Sequence, residues 1–200
     1  MNPDGTNSIP RDYAMKHHIL TIGISLLQNF ANSQKIEVAE AMKRHPQVKQ
    51  YLLEDPRKAS AEINSLDART GFMNSGKTDV EVTLIRTETD SGKCVASLLE
   101  NFLKSKKIKV HRIPVKGLNK PAGDFTPEFA QREANEALTQ MRESVARHIG
   151  RLRQNMRPEI ELNCTGGFKA EVAVLYELGR ALRVPVYYMH ETFKICITLP

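Results

Sequence analysis

Apolar and polar positions alternate along the chain in blocks that predict alternating strands and helices. Short apolar or alternating runs, which are typical of strands, lie at residues 18–23, 80–85, 108–113, 160–162, 186–189 and 193–199. Between them, residues 24–30, 35–53, 56–66, 94–103, 128–156 and 168–184 have helical spacing or composition, with a break at Pro46. Strands that alternate with helices in this way are typical of an α/β protein.

We therefore predict a Rossmann-like, mostly parallel sheet with helices on both faces, in which the last two strands form a C-terminal β-hairpin. Residues 1–15 are polar and contain two prolines and a glycine, so we expect a flexible tail there and a single domain at residues 16–200. Ligands of such sheets bind outside the carboxyl ends of the strands. This rule places three polar segments on one rim: residues 23–25 (the first loop), 87–90, and 163–169 (the glycine loop).

The overall charge and composition narrow the class of partner. The 200 residues carry a formal charge of +6, which favours an anionic partner. The three cysteines, Cys94, Cys164 and Cys196, make neither a metal pattern nor an obvious disulfide framework, so we expect a reducing cytoplasm. We expect no membrane association, because the sequence has no membrane-spanning apolar run and no signal peptide. A stacking platform for single strands is not expected from a chain without tryptophan.

The glycine loop has the chemistry of a phosphate site. A strand that runs through Thr165, Gly166 and Gly167 into a helix presents backbone N–H groups at a helix N-terminus, where phosphates bind. Lys169 lies in the first helical turn, where the helix dipole disfavours a cation by about 0.3–1 kcal/mol unless an anion lies in front of it. The simpler interpretation is a tight strand-to-helix turn with a solvated lysine.

A second glycine-containing segment, residues 71–78, reads GFMNSGKT and matches the P-loop pattern in full. A P-loop needs a strand before it and a helix after it. Here a helical pattern precedes the motif and an alternating, β-branched run follows it. We therefore predict that this segment is not a P-loop and that Lys77 is dispensable for ligand binding.

Two other features have both a functional and a simpler interpretation. Ser25 falls where a helix N-cap belongs, and it also places a hydroxyl beside whatever the glycine loop holds. The second half of the long helix is basic, which suits an anion or DNA, but a solvated helix side is the simpler interpretation. No winged-helix segment follows the sheet, so we expect no direct DNA binding. The basic residues are Arg142, Arg147, Arg151, Arg153 and Arg157.

Four blocks of sequence carry a family resemblance. They read TIGISLL at residues 21–27, SAEINSL at 60–66, NCTGGFKA at 163–170 and VPVYY at 184–188. Together they resemble the CARF domains of CRISPR-associated proteins, and most closely the small ring nucleases of type III CRISPR systems and related sensor domains. The resemblance runs from about residue 18 to the end. The family's first loop commonly reads Gly-Thr-Ser, and Ile24 stands here in place of the threonine, which removes one hydroxyl from the rim.

The resemblance implies a homodimer with a shared pocket for cyclic oligoadenylate, most often the ring of four adenosines, and it implies no metal and no cofactor. Lys169 and Ser25 would be the catalytic residues. The implied ligand-binding residues are Gly23, Ile24, Ser25, Leu26, Thr87, Thr89, Asp90, Asn163, Thr165, Gly166, Gly167, Phe168 and Lys169.

The implied reaction is ring opening by the ribose itself. The 2′-hydroxyl attacks the neighbouring phosphorus in line and leaves a 2′,3′-cyclic phosphate and a 5′-hydroxyl. Lys169 would neutralise the growing charge, and Ser25 with the loop N–H groups would position the phosphate. No histidine is well placed to act as a base; His17, His18, His111 and His190 fit surface or strand-edge positions equally well. Cleavage would therefore be slow, as suits a timer that switches off a second messenger. The alternative is a sensor that binds the ring and activates an effector domain outside these residues.

Overall fold

The computed structural model describes residues 15–75, 79–116, 126–155, 157–190 and 192–200. These residues form one six-stranded sheet in the order β3-β2-β1-β4-β5-β6. The strands are β1 (Lys16–Thr21), β2 (Val80–Thr87), β3 (Lys109–Val115), β4 (Glu159–Asn163), β5 (Val186–Met189) and β6 (Cys196–Leu199). Strands β1 to β5 are parallel and β6 is antiparallel to β5. The predicted sheet and its C-terminal antiparallel pair are confirmed.

Helices cover both faces of this sheet. They are α1 (Ser25–Gln34), α2 (Val38–Lys43), α3 (His45–Glu54), α4 (Pro56–Ala59), α5 (Ala61–Thr70), α6 (Phe72–Ser75), α7 (Asp90–Ser105), α8 (Pro127–Asn155) and α9 (Lys169–Leu182). Leu20 and Leu84 lie in a core with residues of α1 to α7. Their neighbours Ile19 and Ile85 lie in a second core with α8 and α9. Adjacent strand residues point to opposite faces, so a continuous apolar strand needs cover on both.

Two helix boundaries differ from the prediction. The break expected at Pro46 lies at Arg44, between α2 and α3, and Pro46 occupies the first turn of α3, where its missing N–H costs nothing. The helix predicted over residues 56–66 is two helices, because Ser60 is extended (φ −133°, ψ 126°) and its hydroxyl accepts a hydrogen bond from the N–H of Ile63. The second helix, α5, therefore starts beside the rim.

The P-loop-like segment has the predicted surroundings. Helix α5 precedes it, the short helix α6 lies within it, and strand β2 follows it. Residues 76–78, which include Lys77, are outside the described residues. Residues 1–14, which make up all but the last residue of the expected tail at 1–15, also lie outside the described residues.

The long helix α8 buries one apolar face against the sheet, but not at its start. Phe129, which shares the helical spacing, is 38% exposed. The buried residues are Ala137, Met141, Val145, Ile149 and Leu152. No described helix is both long and apolar enough to cross a membrane.

Two histidines lie deeper than a surface or strand-edge position. His17 and His18 are both 0% exposed, because β1 is a central strand covered on both faces. The Nε2 atom of His17 lies 2.7 Å from the hydroxyl of Thr83, and the Nδ1 atom of His18 lies 3.1 Å from the hydroxyl of Tyr187. Burial lowers the pKa of His17 to about 3 and that of His18 to about 4. Neither imidazole lies at the carboxyl ends of the strands.

Candidate anion-binding site at the carboxyl ends of the strands

The first loop and the glycine loop meet at the point where the strand order reverses. Strands β1, β2 and β3 proceed in one direction across the sheet, and β4 and β5 lie on the other side of β1. The loops that leave β1 and β4 therefore diverge around a crevice, the position where doubly wound sheets bind ligands. A Cβ on Gly23 would lie 2.9 Å from the backbone nitrogen of Gly167, so the two loops are in contact.

The two glycines of the glycine loop are required by this close contact. Gly167 has a φ of +95°, a conformation that residues with a side chain rarely adopt, and its backbone packs on Thr21. A Cβ on Gly166 would collide with the carboxylate of Glu62. The hydroxyl of Thr21 also donates a hydrogen bond to the carbonyl of Gly166. The loop is thus fixed from below by β1 and α5.

Glu62 is a member of the site that sequence reasoning missed. Its side chain is 1% exposed, and its carboxylate accepts hydrogen bonds from the N–H of Gly23 (2.9 Å), the hydroxyl of Ser25 (2.9 Å) and the hydroxyl of Ser60 (2.7 Å). A buried carboxylate needs such donors, since no cation contacts it among the described residues. In sequence, Glu62 looks like an ordinary acidic residue in the first turn of a helix. The sequence feature that could have revealed Glu62 is Ser60, a helix-capping residue two positions before it. Ser60 separates α4 from α5, and this break directs Glu62 towards the first loop.

Ser25 is not the N-cap of α1. Ile24 occupies that position without a side-chain hydrogen bond, and Ser25 is the first helical residue. The Ser25 hydroxyl instead donates to Glu62 and accepts a hydrogen bond from the N–H of Ala61 at 3.3 Å. Leu26, also named as a ligand-binding residue, is 0% exposed, and its side chain lies in the core.

The polar residues at the start of the glycine loop hold its shape. The Asn163 side chain accepts a hydrogen bond from the N–H of Thr165 and donates one to the hydroxyl of Ser65 at 2.7 Å. The Thr165 hydroxyl accepts a hydrogen bond from the N–H of Met189. Burial raises the pKa of the Cys164 thiol to about 12, so this cysteine remains protonated and is not a nucleophile.

The end of the glycine loop presents a cation to solvent. Phe168 is the N-cap of α9 and is 54% exposed, and its N–H donates to the carboxylate of Glu171 at 2.9 Å. Burial raises the pKa of Glu171. Lys169 is exposed in the first turn of α9, and no described carboxylate forms an ion pair with it. The N–H groups of Gly166 and Gly167 find no acceptor in the described part of the chain. Gly166 is buried and Gly167 is half-buried, so Lys169 is the member of this group that is openly exposed to an anion.

The third predicted segment, residues 87–90, serves α7. The hydroxyl of Thr89 accepts the N–H of Gly92 as the N-cap of that helix, and it lies 2.8 Å from the hydroxyl of Thr87. Asp90 is exposed. No hydrogen bond between described residues joins this segment to the other two loops.

A hollow of about 410 Å³ opens beside the glycine loop. Its lining includes Asn64 of α5, Thr165, and, past the end of β5, His190 and Lys194. A larger groove of about 640 Å³ lies along residues of α8 alone, and its lining includes no residue of the first loop or the glycine loop. The hollow therefore extends the candidate site, and the groove on α8 does not. Among the described residues, no cluster of His, Cys, Asp and Glu side chains has a metal-binding arrangement.

The fold and the rim define an α/β protein with a candidate anion-binding crevice at the switch point of its sheet. The sequence assigns it further: the chain belongs to the family described as CRISPR-associated protein (Cas_APE2256), whose model matches residues 57–200. The resemblance to CRISPR-associated proteins is thereby confirmed. No curated protein sequence matches the chain.

Solved structures of similar fold are much longer than this chain. Protein VC1899 from Vibrio cholerae has a TM-score of 0.53 and 11% sequence identity, over 92% of this chain and 33% of that one. Can2 from Sulfobacillus thermosulfidooxidans, in complex with cyclic tetra-adenylate, has a TM-score of 0.48 and 11% identity, over 92% and 34%. Csm6 from Enterococcus italicus, bound to cyclic hexa-2′-fluoro-hexa-dAMP, has a TM-score of 0.49 and 11% identity, over 92% and 36%. The chain thus spans about a third of these proteins, and the likeness to VC1899 is one of fold.

Proposed function

We propose that the protein binds cyclic oligoadenylate, most favourably the ring of four adenosines, and cleaves it slowly without a metal. The observation that carries the proposal is the contact between the first loop and the glycine loop at the switch point, with Lys169 exposed beside it. Membership of a CRISPR-associated family supports a cytoplasmic role in which such a ring is the signal.

The groups around the crevice suit a phosphodiester. The N–H groups of Gly166 and Gly167 have no acceptor among the described residues, and Lys169 adds a full positive charge. Donors that are fixed before the ligand arrives need no reorganisation, so they stabilise charge well. The neighbouring hollow, whose lining combines polar side chains with Ala61, Tyr188 and Met189, has room for a base or sugar.

Ring opening would follow from geometry and electrostatics. The 2′-hydroxyl loses its proton to solvent as its oxygen attacks the adjacent phosphorus, and the bond to the 5′-oxygen breaks as that oxygen takes up a proton from solvent. Lys169 stabilises the charge on the phosphoryl oxygens. The histidine nearest the hollow makes a poor base, because the Nδ1 atom of His190 accepts hydrogen bonds from the N–H groups of Thr192 and Phe193. In the neutral ring the proton is then on Nε2, which is a donor. A reaction without a strong base is slow.

A dimer would complete the site. A ring of four identical nucleotides has rotational symmetry, and two copies of one rim related by a two-fold axis match it. Each copy would then contribute one glycine loop and one Lys169 to a single ring.

The second candidate is a sensor that binds the ring and leaves it intact. Ile24 favours it, because this position of the first loop carries no hydroxyl and makes no side-chain cap. The two candidates share the same ligand and differ only in chemistry.

Labelled rings of three, four and six adenosines, incubated with the purified protein in EDTA, test the proposal. We expect the ring of four to be converted to linear products that end in a 2′,3′-cyclic phosphate. Binding of an intact ring identifies a sensor, and failure to bind all three rings contradicts both candidates.

A further inference from the structure

The hydrogen bonds of Glu62 determine what Ser25 can offer a ligand. As a carboxylate, Glu62 can only accept hydrogen bonds, so the hydroxyls of Ser25 and Ser60 must both donate to it. Its other oxygen accepts the N–H of Gly23. All three donors are neutral; Ser60 is buried, and Gly23 and Ser25 are half-buried.

The Ser25 hydroxyl has one proton and two lone pairs. Its proton is committed to Glu62, and one lone pair accepts the N–H of Ala61. One lone pair remains. A phosphate ester that carries a negative charge only accepts hydrogen bonds, so Ser25 can bond it only by leaving Glu62. That would remove one of three donors from a carboxylate that is 1% exposed, which is unfavourable.

We propose that Glu62 is a positioning residue that makes Ser25 an acceptor, and that the group it accepts from is a ribose 2′-hydroxyl. This inference rests on the proposed function and deepens it. The 2′-hydroxyl is the donor closest to each phosphate of a ribonucleotide ring. Ser25 lies on the first loop, in contact with the loop whose free N–H groups suit that phosphate. The arrangement distinguishes a ribose ring from a deoxyribose ring and orients the 2′-oxygen towards the phosphorus.

Glu62→Gln is the variant that separates this role from mere support of the fold. The glutamine keeps the shape of the side chain. Its oxygen can accept the N–H of Gly23, and its amide can donate to Ser25 and Ser60. The proton of Ser25 is then released towards the crevice, so the serine becomes a donor. Glu37→Gln is the matched control, because Glu37 is exposed at the start of α2 and makes no capping hydrogen bond.

The measurement compares dissociation constants for cyclic tetra-adenylate and for its all-2′-deoxy counterpart. We expect wild type and Glu37→Gln to prefer the ribose ring by about 2- to 10-fold for each serine that contacts it, which corresponds to one neutral hydrogen bond. Glu62→Gln should lose most of this preference for the ribose ring. The deoxy sugar also changes the conformation of the free ring. This effect is the same for wild type and for Glu62→Gln, so it cancels when their preferences are compared.

The outcomes distinguish the two proposals. If wild type binds neither ring, the proposed function fails and this inference fails with it. If wild type binds both rings equally, or if Glu62→Gln retains the preference, Ser25 is not an acceptor set by Glu62, while the proposed function stands. A lowered melting temperature would mark Glu62→Gln as misfolded. Ser25→Ala then provides the second test, because it removes the acceptor, and a retained preference in that variant overturns the inference.

Discussion

Gly167 and Thr21 are packed so closely that a Cβ on the glycine would lie 2.7 Å from the Cβ of the threonine. Thr21 ends β1 and Gly167 follows β4, so this contact joins the two loops across the switch point. The left-handed φ of +95° at Gly167 directs the chain into α9. The contact and the φ angle together require glycine at this position.

Gly167→Ala should therefore destabilise the protein and disrupt the crevice. The strained φ alone costs about 1–3 kcal/mol, and the collision with Thr21 adds to it. We expect a lower melting temperature and a loss of ring binding. Gly150→Ala is the control, because no atom outside its own helix lies within 4 Å of the added Cβ, and alanine in the helix α8 should stabilise by about 0.5–1 kcal/mol. Equal stability of the two variants would contradict the packing argument.

Lys169→Ala should weaken ring binding by about 10- to 100-fold for each lysine that contacts the ring, since a hydrogen bond to a charged group is worth about 1.5–3 kcal/mol. Cleavage should slow as well, because the same charge stabilises the phosphoryl oxygens. Lys49→Ala removes one charge from the exposed side of α3 and should change neither. The check is fluorescence anisotropy with labelled cyclic tetra-adenylate at several salt concentrations. Identical affinities for the two variants would leave Lys169 as a solvated lysine.

The sequence could predict the backbone features of the site, namely the glycine loop and its position at one end of the sheet. A strand followed by Gly166 and Gly167 indicates a turn that exposes N–H groups, and the alternation of strands and helices places that turn at one end of the sheet. Both inferences depend on local patterns. The observed sheet order agrees with both inferences. It also brings the first loop into contact with the glycine loop.

The part that sequence could not predict depends on contacts between distant segments. Glu62 is 37 residues from Ser25 along the chain, and only the break between α4 and α5 brings them together. The burial of His17 follows from the central position of β1, which no local pattern reveals. The role of residues 87–90 in ligand binding remains a prediction.

The number of rings bound per chain tests the shared pocket. If the ring lies on a two-fold axis, one ring binds two chains, and the protein is a dimer before ligand is added. Calorimetric titration with cyclic tetra-adenylate should give a stoichiometry of one half, and light scattering of the free protein should give the mass of two chains. One ring per chain would rule out a shared pocket.

Stability should fall as the pH is lowered from 6.5. The folded pKa values of His17 and His18, about 3 and about 4, lie below the ordinary value of 6.5, so between these limits the unfolded chain binds protons that the folded chain does not. The stability that the neutral imidazoles contribute is full above pH 6.5 and declines below it, by roughly 2 kcal/mol for each at pH 5. Urea denaturation at pH 7, 6 and 5 measures this. His17→Gln should reduce the pH dependence, while His45→Gln, at an exposed position, should not.

The last prediction separates binding from chemistry at Ser25. Its hydroxyl makes neutral hydrogen bonds, each worth about 0.5–1.5 kcal/mol, so Ser25→Ala should weaken ring binding by 10-fold at most for each serine involved, on the order of one hydrogen bond. If the hydroxyl orients the 2′-oxygen for in-line attack, the interaction is stronger in the transition state, and the single-turnover rate should fall by much more than the affinity. Ser33→Ala is the control in the same helix, because the Ser33 hydroxyl donates only to the carbonyl of Phe30. We expect Ser33→Ala to cut as wild type does. A Ser25→Ala protein that also cuts at the wild-type rate would mean that this serine only supports Glu62 beneath the first loop.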